Sequence, residues 1–239
     1  MEWITKTPIA HRGLHTADNP ENSMGAFKAA QAANYAIELD LRLSKDGEIV
    51  VFHDETLERM TGKSGFVEQM SADELCGIRL KGGDETIVSL ERVFQEITAP
   101  ICLEIKRCFD DQAMRKRLLE LTRRYKPQCV FASFEPMTLI NLRKSAPEIA
   151  RGMISCDFRG AEEKARSLLE RKRLQYLAAI CAVRPSFISY AIDSLPFWVT
   201  SAYRKMFKIP LIAWTARSQE EAEMARRFAD NVIFEGFMA

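Results

Sequence analysis

Residues 8–54 read PIAHRGLHTADNPENSMGAFKAAQAANYAIELDLRLSKDGEIVVFHD, and the order of apolar runs in this stretch decides the fold. Ile9-Ala10-His11 is the end of a short apolar strand. Pro20-Glu21-Asn22-Ser23 supplies a helix start with Asn22 or Ser23 as cap, and Met24, Phe27, Ala30 and Ala33 follow at helical spacing. Ala36-Ile37-Glu38-Leu39-Asp40-Leu41 follows directly as a second strand. Asp46-Gly47 is a turn signal into a further strand, Ile49-Val50-Val51-Phe52, which ends at His53-Asp54. That extra strand either pairs beside the second or continues the wall with it.

The alternation continues outward. Strands begin near residues 8, 36, 100, 129, 150, 187, 210 and 231, and helical patterns lie between them, including 89–97, 111–125, 136–145, 162–182, 195–207 and 219–228. Eight βα units in 239 residues predict an α/β fold, a closed (β/α)8 TIM barrel, over an open doubly wound sheet. The chain is expected to be a single domain over 1–239, with a small insertion after the second strand at about 55–89. The insertion is irregular. Thr61-Gly62-Lys63-Ser64-Gly65 and Lys81-Gly82-Gly83-Asp84 mark loops, and Ser71-Ala72-Asp73-Glu74 opens a short helix with a capping-box pattern. Lys63 follows a glycine, but the spacing is wrong for a P-loop, and no GxGxxG follows the first strand.

Composition narrows the function. A hydrophobic fraction of 47% supports a globular core, and 34 basic residues nearly balance 33 acidic ones for a net charge of +1. No footprint for nucleic acid or an anionic membrane results, and a small-molecule partner is expected. No run is long and uninterrupted enough for a transmembrane segment. Residues 1–6 lack a charged segment followed by an apolar run, so no secretory signal is expected. Six cysteines without a CxxC pair read as reduced core thiols of a cytoplasmic protein.

The chemistry is concentrated. All three histidines, His11, His15 and His53, lie in residues 8–54, so any imidazole acid or base comes from there. Strand side chains alternate faces, so Glu38 and Asp40 point the same way while Ile37, Leu39 and Leu41 point the other. Two acids sharing a small space call for something positive between them, and a hard divalent cation is the usual solution; the alternative is a solvated strand face. In Ile101-Cys102-Leu103-Glu104-Ile105-Lys106, an acid and a base again share one face. They form either an internal ion pair or, functionally, a metal ligand at Glu104 and an anion ligand at Lys106. In a (β/α)8 barrel, chemistry lies at the carboxyl ends of the strands, where His11, Arg12, Glu38, Asp40, Glu104, Lys106, Ser133, Phe134 and Trp214 all fall.

These residues carry a family resemblance. His11-Arg12-Gly13, Pro20-Glu21-Asn22-Ser23, Glu38-Leu39-Asp40, Lys45-Asp46-Gly47, Val51-Phe52-His53-Asp54 and Leu103-Glu104-Ile105-Lys106 resemble, in order and spacing, the glycerophosphodiester phosphodiesterases. Arg59-Met60-Thr61-Gly62, Gly65, Ser133-Phe134 and Ala213-Trp214-Thr215 extend the match. The resemblance implies a barrel with a small insert after the second strand, and metal-dependent cleavage of glycerophosphodiesters to glycerol 3-phosphate and an alcohol. It implies that Glu38, Asp40 and Glu104 hold a divalent cation, with Glu21 a further ligand. It implies His11 and His53 as the acid/base pair, Arg12 and Lys106 as phosphate ligands, and Asn22 as a support of the site. Oxygen ligands favour Ca²⁺ or Mg²⁺ over zinc without separating those two.

Phe134 and Trp214, with Tyr190, are candidates for the alcohol pocket. Water attack and a cyclic-phosphate route use the same acid and base, and both stay open. At the carboxyl end the chain departs from the family pattern with Val232-Ile233-Phe234-Glu235-Gly236-Phe237, where Glu235 either supplies an acidic group one residue late or simply ends the closing strand. Other readings keep the same site for another diester, a lysophospholipid or a sugar phosphodiester, or make the chain a catalytically retired barrel that binds a phosphoester. An exposed apolar rim would favour the lipid version. Homo-oligomerisation is left open.

Overall fold

The structure, a computed structural model, describes residues 2–159 and 167–239. Among these residues eight parallel strands alternate with helices, the (β/α)8 plan of a TIM barrel, and two further short strands run antiparallel. The chain gathers into two compact units, Met1–Pro8 with Val130–Ala239, and Ile9–Cys129. A one-turn helix, α1 (Trp3–Lys6), belongs to the first of these.

In the unit Ile9–Cys129, β1 (Ile9–Ala10) leads through a loop to α2 (Met24–Ala32) and β2 (Ala36–Leu43). Ser23, not Asn22, caps α2, its side chain accepting from the Ala26 N–H at 3.2 Å. All eight residues of β2 are buried, so this strand is covered on both faces and its carboxylates are not a solvated stripe. β3 (Ile49–Val51) turns back antiparallel on the end of β2, pairing Leu41 with Val51, and so leaves the parallel wall.

The insertion follows. It holds two short helices, α3 (Glu58–Thr61) and α4 (Ala72–Cys76), and β4 (Val88–Ser89), which pairs with β3. Leu57, Val67, Leu75, Ile78, Leu80 and Ile87 bury together with Val50 and Phe52, giving the insertion a core of its own. The capping box at the start of α4 is formed, Ser71 and Glu74 bonding each other's backbone. Then come α5 (Leu90–Glu96), β5 (Ile101–Ile105) and α6 (Asp111–Tyr125). β5 is parallel to β2 in a register that sets Glu104 beside Asp40.

From Val130 the elements are β6 (Cys129–Ser133), α7 (Pro136–Ser145), β7 (Arg151–Ser155), α8 (Leu168–Gln175), α9 (Ile180–Val183), β8 (Phe187–Ala191), α10 (Trp198–Phe207), β9 (Leu211–Ala216), α11 (Gln219–Arg226) and β10 (Asn231–Phe234). Strands β6 to β10 pair in parallel, each with the next. At Gly152 an added Cβ would lie 2.1 Å from the Phe187 ring, so this position of β7 admits no side chain. Asn231 donates to Ile4 O and Thr7 O at 2.9 and 2.7 Å and holds α1 to β10.

One predicted helix is corrected. The 162–182 pattern is interrupted after Gln175, because Leu177 takes a left-handed backbone (φ 55°) and buries completely before α9 begins; residues 162–166 lie outside the described residues. None of the six cysteines forms a disulfide; Cys102 is buried and Cys181 lies on the surface. Among the described residues no helix is long and apolar enough to cross a membrane.

Candidate active site

The site is built on β2 and β5. The pleat turns Glu38 and Asp40 to one face, the register brings Glu104 alongside, and one carboxylate oxygen of each residue lies within 4.8 Å of the others. All three side chains are buried. Lys106 lies among them, its ammonium bonding Asp40 Oδ1 at 2.8 Å and Glu104 Oε1.

The loop after β1 closes over this trio. Arg12 and Gly13 both have positive φ, 56° and 81°, and a Cβ on Gly13 would lie 2.9 Å from the Ala26 backbone, so glycine is required there. The tight turn aims the Arg12 N–H at Glu38 Oε2, 3.0 Å away, and leaves Arg12 Nε 3.4 Å from Asp40 Oδ2. Asn22, at φ 58°, takes up Asp40 from two sides: Nδ2 donates to Asp40 Oδ2 at 2.8 Å, and Oδ1 accepts the Asp40 N–H at 3.3 Å. That geometry explains why Asn22 leaves the capping of α2 to Ser23. His11 Nε2 lies 4.0 Å from Glu38 Oε2.

His53 follows β3. Its carbonyl accepts from Arg42 Nε and Nη2 at 3.0 and 2.8 Å, and its Nδ1 lies 2.7 Å from Asp54 Oδ1. Arg42 shares the β2 face of Glu38 and Asp40, and it also walls a groove of about 700 Å³ flanked by Phe66, Arg107 and the exposed Phe109. The predicted further ligand, Glu21, faces two guanidinium groups: Oε1 accepts from Arg12 Nη1 at 2.8 Å and Arg59 Nη2 at 2.7 Å, and Oε2 accepts from Arg59 Nη1 at 3.0 Å. Arg59 also reaches Asp54, with Nε 2.5 Å from Oδ2 and Nη2 3.1 Å from Oδ1. The sequence reading gave no role to Asp54, Arg59 or Arg42; the signals were the Asp beside His53 and the quoted Arg59-Met60-Thr61-Gly62.

Burial and charge split the carboxylates. Burial and the neighbouring Asp40 and Glu104 push the Glu38 carboxyl well above its ordinary range. Burial acts on Asp40 in the same direction, but Lys106, His53 and Arg12 outweigh it and hold that carboxyl well below the usual range. Burial lowers His53 below an ordinary histidine, with Asp40 opposing and Lys106 and Arg12 adding to the shift.

The trio fits a metal ion. Glu38 Oε1 is buried without a hydrogen-bond partner among the described residues, three carboxylates converge, and the cluster already holds the Lys106 ammonium. An all-oxygen donor set of this kind suits a hard divalent cation. The two predicted pocket aromatics belong to the other unit, where Phe134 packs edge-on to Trp214 at 5.6 Å between ring centroids. Tyr190 is a core residue, wholly buried, with its hydroxyl donating to Cys156 O and Gln175 O. Glu235 pairs with Arg217 at 2.9 Å.

Comparison with known proteins places this geometry. A glycerophosphodiester phosphodiesterase of Caldanaerobacter subterraneus subsp. tengcongensis is 33% identical over 159 residues, 61% of this chain and 65% of that protein. The chain thus matches a little under two thirds of that relative's length. The structure of glycerophosphodiester phosphodiesterase from Thermotoga maritima superposes with a TM-score of 0.73 at 26% identity, over 95% of this chain and 93% of that one. A phosphodiesterase of Oleispira antarctica, solved in complex with the product sn-glycerol-3-phosphate, shares the fold with a TM-score of 0.80 at 23% identity, over 96% of this chain and 92% of that one. The model of the glycerophosphoryl diester phosphodiesterase family matches residues 11–234. From His11 to Phe234, through the acidic trio and both flanking histidines, the chain belongs to the glycerophosphoryl diester phosphodiesterase family.

Proposed function

We propose that this chain hydrolyses glycerophosphodiesters to glycerol 3-phosphate and an alcohol, with a divalent cation, Ca²⁺ or Mg²⁺, held by Glu38, Asp40 and Glu104. One observation carries the reading: three buried carboxylates converge, one with an oxygen unpaired among the described residues, beside two cationic side chains and two histidines. A phosphodiester is an anion that repels nucleophiles, and this arrangement meets that difficulty. The cation, when bound, withdraws charge from the phosphoryl oxygens. Arg12 and Lys106 bind and orient the phosphate and offset the charge that builds on it in the transition state. Arg12 reaches that position on a backbone turn anchored to Glu38, so it is oriented before substrate arrives.

The two histidines divide the proton transfers. One takes the proton of the attacking nucleophile, water or the substrate's own hydroxyl with water then opening the cyclic phosphate, and the other returns a proton to the departing alkoxide. For His53, Asp54 holds Nδ1 and leaves Nε2 for that exchange. The name of the Caldanaerobacter relative and the product bound in the Oleispira structure support the substrate class.

The test is release of glycerol 3-phosphate from glycerophosphocholine by metal-stripped protein, with Ca²⁺, Mg²⁺ or Mn²⁺ added back separately. Release is expected only with added cation, and is expected to fall by about 10²- to 10⁴-fold in His11→Ala. Undiminished release without cation, or in both His11→Ala and Glu38→Ala, overturns the reading.

A further inference from the structure

We infer that Arg59, carried by the insertion, is a positioning residue for the proposed hydrolysis, clasping Asp54 behind His53 and Glu21 behind Arg12. The inference rests on that reading of the site. The geometry is specific. Arg59 directs Nε and Nη2 to the two oxygens of Asp54, and Nη2 and Nη1 to the two oxygens of Glu21, so one planar fork binds two carboxylates bidentately. Each carboxylate has a second task. Asp54 Oδ1 meets His53 Nδ1 at 2.7 Å, and Glu21 Oε1 meets Arg12 Nη1 at 2.8 Å. The proton-transfer group and the phosphate ligand are thereby tied through a single side chain 38 residues from Glu21 in sequence.

The clasp is itself held. Arg59 sits on α3, whose carbonyls at Glu58 and Arg59 accept from Lys81 Nζ at 3.0 and 2.8 Å, and Gly62 ends the helix in the left-handed region at φ 74°. Leu57, just before α3, is wholly buried in the insertion's own core. A small body with its own core therefore presents the guanidinium, which gives the insertion a part in the proposed chemistry. Lysine cannot replace it, because its three donors radiate from one nitrogen and do not match two carboxylates lying side by side. The Arg59 side chain is about half exposed at 47%, so its contribution to folding is small and its contribution to alignment is separable.

The test is steady-state kinetics of the full chain with Arg59→Ala and Arg59→Lys, beside Asp54→Asn and the double variant Asp54→Asn/Arg59→Ala. Arg59→Ala is expected to lose about 10- to 100-fold in kcat/KM, mostly in kcat, with the unfolding temperature within about 3 °C of the parent. Arg59→Lys is expected to recover little, and free guanidinium ion in the assay is expected to restore part of the activity of Arg59→Ala. The double variant is expected to lose less than the product of the two single losses, since both act through His53 while Arg59 acts also through Glu21. Arg59→Ala or Arg59→Lys at parental kcat/KM overturns the inference, as do fully multiplicative effects in the double variant. If the parent chain releases no glycerol 3-phosphate, the functional reading fails by itself. The clasp is then judged by the ¹⁵N resonances of the His53 ring, which are expected to move in Arg59→Ala; unmoved resonances overturn it.

Discussion

The two compact units bury charge for different ends. In Val130–Ala239 the buried charged side chain among the described residues is Arg151, and its guanidinium donates to the carbonyls of Val183 and Ile149 at 3.1 and 3.0 Å. In Ile9–Cys129, Glu38, Asp40, Arg42 and Glu104 are all buried, three of them are acids facing one another, and Glu38 keeps an oxygen without a partner among the described residues. Both units follow the same strand and helix plan. A buried charge satisfied by backbone is a structural joint, whereas buried like charges with an unmet lone pair destabilise the fold and are kept for chemistry.

The sharpest way to break this comparison is to remove chemistry without touching packing. His53→Ala is expected to lower kcat by about 10²- to 10⁴-fold while the urea midpoint stays near that of the parent. A matching collapse of stability would make the histidine a structural joint like Arg151. The opposite substitution is Arg151→Ala, which strands buried carbonyls and is expected to cost about 1–3 kcal/mol, read as a lower unfolding temperature. Its kcat/KM at permissive temperature is expected to stay within about twofold of the parent. A large kinetic loss there would erase the distinction between the units.

The smallest effect has the most telling sign. In metal-free protein, Glu38→Gln is expected to raise stability by about 0.5–2 kcal/mol while ending turnover, because it relieves a carboxylate crowded by Asp40 and Glu104. The pH dependence follows from the direction of the Glu38 shift. Folded Glu38 keeps its proton above the ordinary value of 4.5, where the unfolded chain has lost it, so the folded state binds more protons and stability falls as pH rises from there through the raised value. Asp40, shifted downward, contributes stability that is present above its ordinary value of 3.8 and is lost as pH falls through the lowered one. Urea midpoints of metal-free parent and Glu38→Gln across pH 5–8 check this: because the lowered His53 acts equally in both, the parent is expected to lose stability relative to the variant as pH rises.

Much of this is legible in the amino-acid sequence. The βα alternation stands out because buried strands are short apolar runs and helices carry a different period. Glu38 with Asp40, and Glu104 with Lys106, could be put on common faces because residues two apart in a strand share a face whatever the rest of the chain does. What stayed hidden depends on partners distant in sequence. Asn22 or Ser23 could cap the helix, and only the positive φ of Asn22 shows how it reaches Asp40 and leaves the cap to Ser23; the Arg12 and Arg59 partners of Glu21 were likewise out of sight. The 162–182 pattern gave no warning of the left-handed turn at Leu177, since that turn answers to a burial site rather than to local propensity.

The amino-acid sequence by itself determined the (β/α)8 plan, the strand faces that carry acid and base, and the confinement of every imidazole to residues 8–54. Tertiary structure alone decided that Glu104 stands in register beside Asp40, that β3 turns back to deliver His53, and that an arginine of the insertion clasps Glu21 and Asp54. Pleat and period are properties of the local backbone, whereas register and long-range ion pairs are set by which packed arrangement of the whole unit leaves the fewest buried groups unmet.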